Sequence, residues 1–448
     1  MSRSKFLVEL GFWGYLDGDL VLNLGPLRAC TVKTAHIRES NEEESSVKRF
    51  GRISLVVFAL ALTAWASTEK VVRSFKGGSD GSGPWSNYFI SDGKGNLYAA
   101  TGAGGTYSAG VVFMLSPAGK ETVLYEFKGQ ANGDGASPHG RLAFDATGNI
   151  YGTTQSGGTN GTGTVYELSP KRGGGWTEKV IYTFSAGGAD GNSPSAGLTI
   201  APDGTMYSTT PDGGAFSGGV IFSLKKTSKG WKQTVIHNIK FPDEGGFPYE
   251  GLMRDAAGNL YGVAPAGGAT GAGVVYRVSH TKHGWVDKVL YSFTGQNGDG
   301  AGLYWIDLIS DASGNIYGAT SFGGTNGTGT VWELVYSESK KNYSEKVLYE
   351  FGASGSGDGN NPYGGLAMDS KGNLYGTALN GGSSNLGAFY KLTKQGKTWK
   401  ETILHSFAGA NDGNQPTGNP YMDATGRLYG MTQTGGKSNL GVVYRITP

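Results

Sequence analysis

A tyrosine inside a Gly-Asn-Leu-Tyr-Gly-like element recurs at Tyr98, Tyr151, Tyr207, Tyr261, Tyr317, Tyr375 and Tyr429, at intervals of 53, 56, 54, 56, 58 and 54 residues. A chain with such a period is an array of supersecondary units, each too small to cover its own apolar faces. Neighbouring units must cover them, so the units stack in a line or in a ring.

The content of one unit narrows the choice. A short apolar segment ending in aspartate comes first, as in Leu142-Ala143-Phe144-Asp145. A tight turn such as Ala146-Thr147-Gly148-Asn149 follows, where glycine accepts positive φ. The second strand carries the tyrosine, and a Gly-Gly pair follows it, as at Gly157-Gly158. The third strand carries an aromatic at Phe113, Tyr166, Phe222, Tyr276, Trp332, Tyr390 and Tyr444. In the fourth, Val289, Tyr291 and Phe293 share one face, the period-2 pattern of a strand. Four strands in about 55 residues match one propeller blade with slightly long loops.

Composition agrees. The chain has 79 glycines among 448 residues, too many for helices, and 24 tyrosines and 19 phenylalanines, too many for disorder. Many short strands with glycine-rich turns fit best. The expected fold is all-β: a seven-bladed β-propeller with four antiparallel strands per blade. Stacking the sheets in a ring covers both faces of each and leaves only short edges. The aromatics are expected between blades.

The ends of the array favour a ring over an open solenoid. The array opens with a fourth-strand copy, Glu69 to Phe75, and ends with a third-strand copy, Gly441 to Ile446. The last blade lacks a strand and the amino end has a spare, so pairing them closes the ring.

Residues 48–66 begin Lys48-Arg49-Phe50-Gly51-Arg52, continue with an apolar run from Ile53 to Trp65, and end on Ala66. This is the pattern of a secretory signal, with a run too short to span a membrane comfortably. The alternative is a buried strand or helix. The expected layout is a non-native or disordered extension at 1–46, a signal peptide at 47–66 and the propeller at 67–448. Cleavage after Ala66 removes Cys30, the single cysteine, so no disulfide framework is expected.

The recurring Gly-Leu…Asp…Gly-Asn-Leu-Tyr-Gly-Thr…Gly-Gly…Gly-Thr-Val-Tyr-Glu-Leu pattern resembles the GloVer tandem repeat over nearly all of residues 69–448. The resemblance implies an exported bacterial protein and implies no activity or catalytic residues. No anchoring segment follows Pro448, so a secreted or periplasmic monomer is expected.

Chemistry must then be sought residue by residue. With 38 basic and 36 acidic side chains and no basic stretch interleaved with aromatics, nucleic acid is not an expected partner. No zincin motif, nucleophile elbow, phosphate loop or dinucleotide fingerprint occurs, and no cofactor or metal is expected. His237 and His405 stand where four repeats have tyrosine and read as packing residues. His280 and His283 sit in a polar hairpin. The loop entering each repeat carries an aspartate, at Asp80, Asp134, Asp190, Asp243, Asp299, Asp358 and Asp412. Each offers one carboxylate, too few for calcium, and each is expected to bond its own turn.

Departures from the repeat point elsewhere. Most repeats place small residues before the first strand, as in Ala196-Gly197 and Gly364-Gly365. The exceptions are His139 with Arg141, Tyr249 with Glu250, Trp305 with Asp307, Tyr363, and Asn419. These are expected near one mouth of the central channel, as a polar, aromatic-lined site for a sugar or other small ligand. Neutral drift is the alternative. The first functional expectation is a non-catalytic binding module for extracellular glycans, envelope components or proteins. The second is an axial-pocket carbohydrate-active enzyme or lactonase-like hydrolase, with Glu250 and Asp307 as its acidic pair. The third is a purely structural envelope protein.

Overall fold

The computed structural model describes residues 19–23, 29–33, 67–84, 88–352 and 357–448. The chain divides into two units, Met1–Thr63 and Ala64–Pro448. In the first, strands Asp19–Asn23 and Ala29–Lys33 form an antiparallel pair with Leu22 opposite Cys30. The signal segment expected at 47–66 lies outside the described residues, as does most of the extension expected at 1–46.

The second unit is the expected propeller of seven four-stranded antiparallel sheets. Blade 2 shows the pattern. Its second strand, Ile150–Gly157, sets Tyr151 opposite Ala143 of the first strand and Gly152 opposite Tyr166 of the third. The third, Thr164–Pro170, pairs with the fourth, Trp176–Thr183. Blade 7 is completed from the amino end: Thr68–Ser74 pairs with Val442–Thr447, with Thr68 opposite Thr447 and Ser74 opposite Val442. The ring closes by this noncovalent latch.

The glycine after each motif tyrosine has a packing cause. In the register, Gly152, Gly262, Gly318, Gly376 and Gly430 face Tyr166, Tyr276, Trp332, Tyr390 and Tyr444. A Cβ on Gly152 would lie 2.3 Å from the Tyr166 hydroxyl, inside van der Waals contact. Where the partner is the shorter phenylalanine, the glycine is replaced: Ala99 faces Phe113 and Ser208 faces Phe222.

Blades meet through aromatics, as expected. The phenylalanine after the fourth strand, replaced by Ile239 in blade 3, packs edge-on or tilted against the third-strand aromatic of the next blade. Phe127–Tyr166 centroids are 4.9 Å apart, Phe293–Trp332 5.3 Å and Phe351–Tyr390 5.0 Å, and all six rings are fully buried. Phe75–Phe113, at 5.6 Å, repeats this across the latch. Such pairs add about 0.5–1.5 kcal/mol beyond the area they bury.

A second inter-blade tie recurs in every blade. Before the first strand, Gly83, Ser137, Ser193, Phe247, Gly302, Asn361 and Gln415 all take positive φ. Each donates its backbone N–H to a carbonyl of the preceding blade, as in Ser137 to Ala109 at 2.8 Å and Asn361 to Thr328 at 2.8 Å. Gly83 to Leu440, at 3.3 Å, joins blade 1 to blade 7. Proline follows six of these residues and fixes the chain leaving the tie; blade 5 has Leu303 instead.

The loop carboxylates form a third tie. Asp134 takes the Lys128 N–H at 2.7 Å and the Gly135 N–H at 2.6 Å, so it bonds its own turn as expected. It also accepts from Tyr125 of the preceding fourth strand at 2.8 Å, and that hydroxyl lies 3.4 Å from Glu178 of the following one. Tyr349, Asp358 and Glu401 repeat the arrangement. At the latch Arg73 replaces the tyrosine, 2.5 Å from Asp80 and 2.6 Å from Glu121. In the fourth loop the carboxylate is Glu244 and not Asp243: Glu244 takes the Lys240 N–H at 3.0 Å, while Asp243 is exposed. Two adjacent acids stand there, and only the backbone path selects the second.

Candidate functional site

The segment between the positive-φ residue and the first strand forms one mouth of the central channel. Three residues separate proline from the strand leucine in blades 2, 3, 4 and 6, as in Pro138–Leu142. Close approach explains why most are small. A Cβ on Gly140 would lie 2.3 Å from the Ala196 backbone, and one on Gly364 2.2 Å from the Gly418 carbonyl. A large side chain survives here only by turning toward the axis or the solvent.

Four charged or hydroxylated side chains turn inward and meet. Arg141 of blade 2 lies 3.6 Å from Asp307 of blade 5. Tyr88 of blade 1 donates its hydroxyl to Oε2 of Glu250 in blade 4 and sits 3.4 Å from the Trp305 carbonyl. Tyr88, Glu250 and Asp307 are each less than a tenth exposed. Burial, and then the Asp307 charge, push the Glu250 carboxyl well above the usual carboxylate range. Burial raises Asp307 too, but Arg141 and a hydrogen bond from the Gly251 backbone oppose the rise. Burial thus favours the protonated Glu250 carboxyl near neutrality, while Arg141 lies beside Asp307 and favours its charged form. Burial also depresses the neighbouring His139 to about 4, so its imidazole is neutral.

Aromatic rings cover this cluster. Trp305 stacks on His139 with centroids 6.2 Å apart and leans on Tyr249 at 5.6 Å. Tyr304 and Tyr363 stack with planes 6° apart and centroids at 5.7 Å. Blade 5 has one residue more than its neighbours between Leu303 and Leu308, and Trp305 takes φ +59° to fit it. That conformation is costly for a bulky side chain and is held by the packing around it. Beyond the Arg141–Asp307 pair, a cavity of about 370 Å³ follows the inner strands, lined by Ile200, Leu252, Met253, Arg254 and Leu308.

The sequence thus brought together six residues that do meet: His139, Arg141, Tyr249, Glu250, Trp305 and Asp307. Tyr363 joins them through Tyr304. Asn419 does not; its side-chain oxygen accepts from the Gly365 N–H and ties blade 7 to blade 6. Tyr88 and Tyr304 escaped the sequence reading. Aligning Phe89 with the strand leucines would have shown Tyr88 in the position of Gly197, Gly251 and Gly365.

The other histidines among the described residues sit apart. His237 and His405 do occupy the tyrosine positions, but they are hydrogen-bonded members of the carboxylate ties rather than mere packing, at 2.9 Å from Glu244 and 3.0 Å from Asp412. His280 packs edge-on against Trp285 in the hairpin with His283.

The fold and the mouth together define a seven-bladed repeat propeller with an aromatic-lined, charge-bearing channel mouth that departs from the repeat. The chain belongs to the Gloeobacter/Verrucomicrobia repeat family, whose model matches residues 55–232, 175–308 and 300–448. No curated protein matches it. Among solved structures it is similar to a streptogramin B lyase, at 14% identity and TM-score 0.50, covering 85% of this chain and 97% of that one. It is also similar to the extracellular domain described for a hybrid two-component system of B. thetaiotaomicron, at 12% identity and TM-score 0.49, covering 84% of this chain and 40% of that one. These likenesses concern the fold alone. No described helix is long and apolar enough to cross a membrane.

Proposed function

We propose that this chain is an exported, non-catalytic binding propeller that takes a saccharide-like ligand at the channel mouth. The observation that carries the reading is the parallel Tyr304–Tyr363 pair beside the His139–Trp305–Tyr249 stack, over a floor of the buried Tyr88–Glu250 pair and the Arg141–Asp307 pair. Flat, half-buried ring faces take the C–H face of a sugar, while the part-exposed Arg141 guanidinium, held by the buried acids beneath, offers donors to its hydroxyls. The Lys48–Ala66 pattern supports export, and the protein recovered outside the cytoplasm should begin after Ala66. A hydrolase would need Glu250 and Asp307 to meet substrate. Both are buried, and one oxygen of Glu250 is held by Tyr88, so catalysis is not part of the proposal.

A glycan array probed with the full chain and with Trp305→Ala tests the reading. Binding to a defined glycan class that falls at least tenfold in Trp305→Ala supports it. An array with no hits, or hits unchanged in the variant, would sink it and leave the structural-envelope reading.

A further inference from the structure

We propose that two of the seven inter-blade carboxylate ties are binding sites for a divalent cation of the zinc type: His237 with Glu244 and Asp287, and His405 with Asp412 and Glu69. The proposal is independent of the channel mouth.

Each tie has three members: a side chain from one fourth strand, the loop carboxylate, and a residue from the next fourth strand. The first member is tyrosine at Tyr125, Tyr182, Tyr291 and Tyr349, and arginine at Arg73. Arginine has no lone pair to offer, and a tyrosine hydroxyl that keeps its proton to donate to the acids is a poor ligand. Imidazole is different, because a neutral ring nitrogen is a good ligand for zinc and its neighbours. Both histidine ties also keep two carboxylates, whereas the third member of the Tyr182 tie is Gln233.

The geometry suits one ion in each place. In both groups one ligand atom from each residue lies within 4.8 Å of the other two. His237 Nε2 is 2.9 Å from Glu244, whereas Asp287 lies 3.8 Å from the other ring nitrogen, Nδ1, so one ion on the imidazole requires the Asp287 carboxylate to swing toward the Glu244 side. His405 Nε2 is 3.0 Å from Asp412. An ion about 2.0–2.2 Å from each donor sets neighbouring donors roughly 3.3 Å apart, so the His237–Glu244 and His405–Asp412 contacts need to open by only a few tenths of an ångström. All six residues are half-buried, which gives an ion a path in and room for a water as fourth ligand. Backbone amides hold the loop acids from behind: Ala408 N–H reaches Asp412 at 2.8 Å and Lys240 N–H reaches Glu244 at 3.0 Å. Lys240 Nζ lies 3.6 Å from the other oxygen of Glu244 and competes for its charge, so the His405 site should bind more tightly.

The second site bears on the latch. Glu69 belongs to the amino-terminal strand Thr68–Ser74, while His405 and Asp412 come from the other end of the propeller. An ion held by all three pins the closing strand, and its binding free energy adds to that of closure.

The test uses the full chain, purified without a polyhistidine tag, stripped with EDTA and titrated with zinc chloride by calorimetry and in thermal melts. Two zinc ions per chain are expected, with a melting temperature raised by several degrees. His237→Tyr and His405→Tyr each install the residue that four other blades carry, so the fold should persist, and each should remove one equivalent. The double variant should lose both equivalents and the zinc-dependent rise. Asp287→Asn and Glu69→Gln give a second route to the same single losses. No zinc uptake by the unaltered chain, or uptake that survives in the double variant, overturns the proposal.

Discussion

The outer belt of carboxylate ties and the inner channel mouth are built from the same seven repeats and treat repetition in opposite ways. In the belt, every blade contributes a loop acid bonded to its own turn and a fourth-strand partner, varied only within tyrosine, histidine and arginine. At the mouth, equivalent positions hold Tyr88, Arg141, Gly197, Gly251, Asp307, Gly365 and Asn419. The belt carries a bond that each pair of blades needs, so a change there weakens an interface. The mouth faces a shared axis, where one blade's side chain meets that of a blade across the ring. Repetition marks what the ring requires, and its local failure marks where chemistry can be added.

The contrast yields an ordered set of expectations for stability. Deleting Thr68–Ser74 should have the largest effect, because the last blade loses a strand and the core loses Val71 and Val72. Circular-dichroism melts should show a drop of about 10 °C or more, or loss of a cooperative transition, on the scale of burying a few large apolar side chains. Next comes Gly152→Ala, which drives a methyl into the Tyr166 hydroxyl and should cost about 1–3 kcal/mol in denaturant unfolding. Adding Tyr166→Phe should return much of that loss, because Ala99 already faces Phe113 in blade 1.

The belt should also titrate. Burial and the facing aspartates raise Glu178 and Glu345 to about 7 and Glu401 to about 9. Their folded pKa values exceed the unfolded ones, so the stability they favour is full below about 4.5 and is lost as pH rises through 7 to 9. Melting temperature should therefore fall between pH 5 and 9, and Glu178→Gln with Glu345→Gln should flatten the fall, amide being the natural choice at Gln233. A flat wild-type profile would contradict the raised carboxyls of the belt. Tyr363→Ala, at the mouth, should cost less than about 1 kcal/mol and leave the pH profile unchanged.

Repeat count, strand order and latch were legible because each is written several times over in the chain. The mouth was legible in part. Arg141, Glu250 and Asp307 stood out against glycines, but Tyr88 lay beside a degenerate first strand, Phe89 to Ser91, that masked its alignment. Tyr304 was hidden by the extra residue of blade 5. The choice of Glu244 over Asp243 depends on the path of one loop, and no local pattern encodes it. Nor did spacing show that Asn419 would bond the neighbouring blade instead of facing the axis.

The small residue beneath each third-strand aromatic has a consequence for how such an array can change. A lone enlargement at either partner collides or leaves a hole, so the two positions travel as a matched set: glycine with tyrosine or tryptophan, alanine or serine with phenylalanine. Because both members lie within one sheet, a whole blade can be copied, exchanged or transplanted without disturbing its lock-and-key. Turnover within the array can then proceed by entire modules while the pairing inside each is inherited intact.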